Sequence, residues 1–508
     1  MRRQVVLLIT DTTRWDMLGC YRNTGLATPN LDALAASGVR FERAYTCTPV
    51  CTPARGAMFT GTWPHSNGAW ANSIALGANV RSVAEYLERA GVRAGYVGKW
   101  HLDGTDYFGA GVPAPGWDPA CWYDGRSYLE ELSSEDRVRS RRPGTSYDPV
   151  LSAEFTFAHR CSDRAIRFLE DHGGEDFFLV VSYDEPHGPS ICPEPYSQMY
   201  RGFSWTSGPN AADPLGAKPE HQRVWSEDAA GGGADPGERS LFFGAQSFVD
   251  AEIGRVIDAA RSAASEALVI YTSDHGDALG AHRLSGKGPA AYDEIARIPL
   301  LASWPGRAEP GRVVGGVASQ IDLAPTVLNV LGCAAPASMA GESLVPILRG
   351  EAEVSSRPAF IEYGRYEVDH DGFGGFQPMR AVTDGSYKLV VNLLGTDELY
   401  DLRADPHEMV NLIDDPEHVR ARDRYHDVLL AWMHEVRDPF RGYYWERRPW
   451  RSDAPPATWA GRGMTRQRET DGFEERQLDY DTGLEMTRAV RPKNAGVQVQ
   501  TPPGPSQI

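Results

Sequence analysis

The apolar positions along the chain fall into two kinds of run. Val5-Val6-Leu7-Leu8-Ile9 and Phe177-Phe178-Leu179-Val180-Val181 are continuously apolar, the pattern of strands covered on both faces. Residues 93–97 and 267–272 repeat it, and 298–302 is shorter, with Pro299 placing it at an edge or a strand start. Between these runs apolar residues recur at helical spacing over 29–37, 80–90, 154–170, 238–260 and 322–331, the first two closed by Gly38 and Gly91. Strand alternating with helix predicts an α/β fold: a large, mainly parallel mixed sheet sandwiched by helices.

Beyond residue 350 the runs shorten. Residues 359–363, 379–383 and 387–392 read as antiparallel strands, with Asp384-Gly385 as a hairpin turn, followed by a helix over 416–436. The expected division is a large domain over 1–350, a smaller antiparallel sheet plus helix over 351–440, and an extended tail over 441–508, disordered from about residue 492. Residues 104–150, rich in Gly, Pro and aromatics, read as an irregular insertion. Its Trp117, Trp122, Tyr123 and Tyr128 are expected to fill the insertion's own small core rather than line a pocket. Residues 205–238, with Gly231-Gly232-Gly233, read as a surface loop.

Charge narrows the partners. Against 51 basic residues stand 69 acidic ones, a net charge of −18. That excludes nucleic acid and anionic membrane, which need a basic face. Cys20, Cys47, Cys51, Cys121, Cys161, Cys192 and Cys333 form no CxxC pair, as expected of reduced thiols in a cytoplasmic protein. Arg2 and Arg3 ahead of an apolar run mimic a signal peptide, but the run is short and ends at Asp11, so it reads as a buried first strand. Oligomeric state stays open.

Candidate chemistry gathers where strands end. Asp11 follows the first strand, Lys99 and His101 the second, His187 the third, Asp274 and His275 the fourth. In a doubly wound sheet those ends share one rim. Singly, Asp11 reads equally as a turn residue and Asp274 as a helix cap. Together, the carboxylates offer hard oxygen ligands for Ca²⁺ or Mg²⁺, while a His275 nitrogen suits Mn²⁺ or Zn²⁺ better. Lys99, Lys287 and Arg55 bring positive charge to an anionic group, and His101 and His187 move protons near neutral pH. This is a toolkit for sulfuryl or phosphoryl transfer.

Cys51-Thr52-Pro53-Ala54-Arg55-Gly56 completes it. With Leu8-Ile9-Thr10-Asp11, Gly98-Lys99-Trp100-His101, Pro186-His187-Gly188-Pro189, the stretch from Ser273-Asp274-His275-Gly276-Asp277 to His282, Lys287 and Glu398-Leu399-Tyr400-Asp401-Leu402, it resembles the type I sulfatase family of the alkaline phosphatase superfamily. The resemblance runs over about residues 4–435 and makes 1–350 the catalytic domain. It implies that a formylglycine-generating maturation enzyme oxidises Cys51 to Cα-formylglycine (3-oxoalanine), reading Cys51, Pro53 and Arg55. It implies one divalent cation on Asp11, residue 51, Asp274 and His275, with Ca²⁺ first and Mn²⁺ or Mg²⁺ as alternatives. Arg55 and His101 would steady the formylglycine, with His101 as base. Lys99, His187 and Lys287 would bind the sulfate, and His187 or Lys287 would protonate the leaving oxygen. The implied substrate is a small-molecule or saccharide sulfate ester.

Thr12 departs from the consecutive Asp pair of many sulfatases, and His275 stands where many have Asn. Both features also resemble phosphonate monoester/phosphodiester hydrolases and choline-sulfatase-like members, and Asn72, as a substrate-binding residue, fits the former group. His65 and His282 read as structural, and Cys47 as inert.

Overall fold

The structure is a computed structural model that describes residues 2–205, 208–231, 236–352, 357–367 and 375–454. Its larger sheet is built from β1 (Gln4–Asp11), β2 (Val39–Tyr45), β3 (Arg93–Gly98), β4 (Trp122–Tyr123), β5 (Phe177–Pro186), β6 (Leu268–Ser273), β7 (Arg297–Ile298), β8 (Leu300–Ser303) and β9 (Arg312–Ser319). The order is β4-β3-β5-β1-β6-β8-β2-β7, with β9 paired to β2. β1 is parallel to both β5 and β6, and β3 to β5; β8 runs antiparallel to β6 and β2. The mixed, mainly parallel sheet expected from the apolar runs is therefore present.

β1 sits at the centre because its Val5–Ile9 run has no polar residue to keep wet. Val5, Leu7 and Ile9 point into one hydrophobic layer, Val6 and Leu8 into the other. The first layer holds Phe59, Tyr96, Trp100 and Trp117; the second holds Phe248, Val249 and Ile253 of the long helix Pro236–Ala263. Trp117 and Trp122 do not form a separate core in the insertion. Their rings lie 4.9 and 5.1 Å from Tyr96 and extend the core of the main sheet.

Two expectations shift. Residues 205–238 do not form one loop: Glu220–Gly231 is helical and buries Gln222, Trp225 and Ser226. Helix-favouring residues over 220–230 outweigh the glycines that follow. Sequence reading also passes over β2, whose Val39-Arg40-Phe41-Glu42-Arg43 alternates apolar with charged residues. The expectation of disorder from about residue 492 lies outside the described residues.

The smaller sheet runs β10 (Ala359–Tyr363), β11 (Met379–Thr383), β12 (Tyr387–Asn392) and β13 (Glu398–Asp401), all antiparallel. Helix Val419–Glu435 covers it with Leu429, Trp432 and Met433. Trp445 packs into the same cluster, and Arg448 binds Asp397 at 2.7 Å, so residues just past Pro439 fold back onto this sheet. Among the described residues no helix is long and apolar enough to cross a membrane.

Candidate functional site

Every strand that neighbours β1 on its parallel side delivers a polar group to the same rim. Asp11 ends β1, Asp184 lies in the last turn of β5, and Asp274 follows β6. Lys99 follows β3, whose last residue, Gly98, has φ 114°. A Cβ there would collide with the Ser182 carbonyl, so glycine alone lets β3 turn at this point. Thr12 and His101, with φ of 71° and 59°, are held in the left-handed region beside the rim, at about 1–3 kcal/mol each. Cys51 opens helix Cys51–Thr60, whose N-terminus carries the positive end of the helix dipole. Asn72 fixes that helix start: its Oδ1 accepts the Thr52 N–H at 3.1 Å.

Ligand atoms of Asp11, Cys51, Asp274 and His275 all lie within 4.8 Å of one another, and all four residues are buried. Cys51 Sγ is 3.2 Å from His275 Nε2 and 3.8 Å from Asp11 Oδ1. Three cations enclose this cluster. Lys287 Nζ donates to Cys51 Sγ at 2.8 Å and reaches His275 Nε2 at 2.9 Å. Lys99 Nζ pairs with Asp11 at 2.8 Å and with Asp184 at 2.9 Å. Arg55 forks between Asp274 (3.1 Å) and Asp11 (3.2 Å), and donates further to the Ser182 hydroxyl and the Lys99 carbonyl. Thr12 joins the carboxylates, donating its hydroxyl to Asp11 at 2.6 Å and its N–H to Asp274 at 3.1 Å.

Burial and charge set the protonation states. Burial opposes ionisation of Asp11, but Lys99 and Lys287 hold its carboxyl well below the usual range. Burial and the neighbouring Asp11 push Asp274 up to about 6. Against burial, Asp11 and Asp184 hold Lys99 protonated, and Cys51, Tyr366 and Asp11 do the same for Lys287. Burial lowers His101 and His187, with Lys99 adding to both, so both rings are neutral near pH 7. Tautomers follow from carbonyl contacts. His275 Nδ1 lies 2.9 Å from the Gly276 oxygen, and His187 Nδ1 lies 2.9 Å from the Gly188 oxygen. A carbonyl only accepts, so each Nδ1 carries a proton; the neutral His187 keeps its lone pair on Nε2, and the Lys287 ammonium, which only donates, makes His275 Nε2 an acceptor.

A cavity of about 730 Å³ opens over this cluster, with Thr12, His187, Lys287 and Tyr366 at its floor and Trp225, Arg239 and Phe242 on its wall. Asp184, Ser182, Tyr366 and Tyr107 are the participants that sequence reasoning missed. Asp184 offered a signal, standing in the same strand-end cluster as His187.

The remaining candidates lie elsewhere. His65 binds Glu362 at 2.6 Å beside Asp438, but Arg380 already pairs with Asp438, so this charge network is satisfied without a metal. His282 stacks on Tyr292 and bonds Asp213 at 2.7 Å, anchoring the loop that carries Lys287. Cys47 lies against Ser319 with its thiol pushed up to about 12 by burial, an inert state.

Glu185 carries a pH dependence of its own. Burial and Asp184 push its carboxyl up to about 8. The unfolded chain releases that proton near pH 4.3, so the native state binds the extra proton between the two values and loses stability as pH rises. Glu185→Gln removes this term. Its thermal midpoint should match wild type near pH 4 and exceed it increasingly up to about pH 8, by a few kcal/mol of stability at most. A gap independent of pH would contradict the assignment.

Residues 3–333 match the family profile described as Sulfatase, and residues 280–435 the profile described as N-sulphoglucosamine sulphohydrolase, C-terminal. The chain is 44% identical to the uncharacterized sulfatase YidJ of Escherichia coli, covering 95% of this chain and 97% of that one. It is 27% identical to the ulvan-active sulfatase of Formosa agariphila, over 87% of this chain and 83% of that one. Among solved structures, the phosphonate monoester hydrolase of Agrobacterium radiobacter superposes with a TM-score of 0.73 at 25% identity, covering 86% of this chain and 96% of that one.

Proposed function

Because this chain belongs to the sulfatase family and is a sulfuric ester hydrolase, we propose that it cleaves a saccharide sulfate ester at the Cys51 cluster. The observation that carries the reading is the buried group of Cys51, Asp11, Asp274 and His275, enclosed by Lys99, Lys287 and Arg55. A net charge of −18 would repel a sulfate, and these three cations offset it locally.

The donor set fits a divalent cation. Two carboxylates, a lone pair on His275 Nε2 and the side chain of residue 51 converge, and the Lys287 ammonium already marks the spot as one that takes positive charge. Asp11, residue 51, Asp274 and His275 would hold the ion, with Ca²⁺ first and Mn²⁺ or Mg²⁺ as alternatives. In the active form the cation would supply Lewis acidity, and the hydrate of formylglycine at position 51 would supply two hydroxyls, one to attack sulfur and one to collapse to the aldehyde as sulfate leaves. The other residues act directly. Lys99 and Lys287 bind the sulfate oxygens. His101, neutral and with no hydrogen bond to Nδ1 among the described residues, is the base. His187 presents Nε2 to the leaving-group side of the cavity. A maturation enzyme that converts Cys51 is the implied partner. The saccharide preference draws on the similarity to the ulvan-active enzyme and to the N-sulphoglucosamine sulphohydrolase profile.

Thr12, Asn72 and the superposition on a phosphonate monoester hydrolase favour a second reading, phosphonate monoester or phosphodiester hydrolysis with the same nucleophile. Sulfate monoesters and phosphonate monoesters each carry one negative charge, so charge does not decide between them. We expect kcat/KM for 4-nitrophenyl sulfate to exceed that for 4-nitrophenyl phenylphosphonate; the reverse order would establish the second reading.

A further inference from the structure

On the Lys99 side of the cluster lies a second, smaller cavity of about 40 Å³. One water needs about 10–15 Å³ on this measure, so the space takes a small oxyanion, a carboxylate or the terminal oxygens of a sulfate. Its wall includes Lys99, Tyr107, Arg141, Asp184, Glu185 and His187. The Tyr107 ring lies between two cations, with Lys99 Nζ at 5.1 Å and the Arg141 guanidinium at 4.9 Å from its centroid. Arg141 also lies 4.9 Å from the Phe108 ring.

Arg139 pairs with Asp136 and Asp148, Arg160 and Arg164 pair with Glu131, and Arg137 donates to the Leu129 carbonyl. Among the described residues, Arg141 has ring contacts but neither a side-chain hydrogen bond nor an ion pair. Asp184 is committed to Lys99. Glu185 is 5% exposed; its Oε1 accepts the Ala158 N–H at 3.3 Å, and its Oε2 has no partner. The small cavity is thus bordered by a buried carboxyl oxygen left unsatisfied, which is costly unless a ligand completes it, and by a half-buried guanidinium free to bind one. Glu185 keeps its proton at neutral pH, because burial and Asp184 push it up to about 8, so it offers a donor rather than a repelling charge. The two rings hold the guanidinium in place, as forked recognition of an oxyanion requires.

Resting on the sulfatase reading, we propose that Arg141 and Glu185 form a subsite for a second anionic group of the substrate, a carboxylate or a further sulfate. The preferred substrate is then an acidic saccharide carrying at least two anions, one cleaved beside Lys99 and His187 and one held by Arg141.

The test compares kcat/KM of wild type, Arg141→Ala and Arg141→Lys on four esters. 4-Nitrophenyl sulfate and N-acetylglucosamine 6-sulfate carry one anion; glucosamine 2-N,6-O-disulfate adds a sulfate and glucuronic acid 2-sulfate a carboxylate. Wild type should favour one of the two dianions by at least about tenfold over both monoanions. Which dianion wins identifies the second group. Arg141→Ala should erase that preference, mainly through KM, while 4-nitrophenyl sulfate turnover stays within about threefold; Arg141→Lys should keep part of it. A preference that survives in Arg141→Ala, an equal loss on all four esters, or no preference in wild type would each overturn the subsite. If wild type cleaves the monoanions but gains nothing from a second anion, the subsite alone falls. If it cleaves no sulfate ester, the sulfatase reading falls and takes the subsite with it.

Discussion

Cys51→Ala should lower kcat by at least about 10,000-fold while moving the thermal midpoint by no more than about 2 °C. The two halves of this expectation have separate causes. Cys51 Sγ touches Lys287, His275 and Asp11 and fills no apolar pocket, so its removal opens little cavity. Lys287 remains within 3.8 Å of Asp11, so no charge is left alone. Activity has no such reserve, because the substitution removes the proposed nucleophile itself. In wild-type preparations, turnover should scale with the fraction of the Cys51 peptide that mass spectrometry finds with CH₂SH exchanged for CHO. Full turnover by Cys51→Ala, or by a wholly unconverted sample, would exclude the proposed chemistry.

Arg55→Ala should be the most damaging change to the fold near the site, costing about 3–5 kcal/mol. Its guanidinium is fully buried and bonds two carboxylates, a carbonyl and a hydroxyl from four different segments. Removing it strands Asp274 in particular, whose carboxyl burial already disfavours as an ion. Arg55→Lys keeps the charge but cannot span the fork, so it should recover only part of the loss. Urea unfolding reads both variants; a midpoint for Arg55→Ala equal to wild type would show that the fork contributes nothing.

How much of this was legible beforehand depended on the physical signal. β1, β5 and β6 announced themselves because strands buried on both faces must be apolar throughout. β2 was illegible for the opposite reason: its charged residues face outward at the sheet's far side. The rim residues could be proposed because strand ends are a place in the chain as well as in space. Their pairings could not. Lys99 with Asp184, or Arg55 with Ser182, depends on which strands are neighbours, and local pattern carries no such information. Arg141 shows the limit most clearly, since in sequence it is one more charge in a charged stretch and only the surrounding rings and the missing partner set it apart.

The depth of the Cys51–Arg55 turn has a consequence in time. Cys51 is 2% exposed, and Pro53 and Arg55 are buried in the finished protein. An enzyme that must read Cys51, Pro53 and Arg55 cannot reach them once β1 is flanked by β5 and β6, strands that leave the ribosome much later. On the proposed formylglycine reading, oxidation of Cys51 is therefore in a race with folding. The window opens when residue 55 emerges and closes when the distant strands arrive, and long-range parallel pairing is intrinsically slow. On that reading, the late partners of the central strand would keep Cys51 within reach while synthesis proceeds, and chain order itself would set the schedule for maturation.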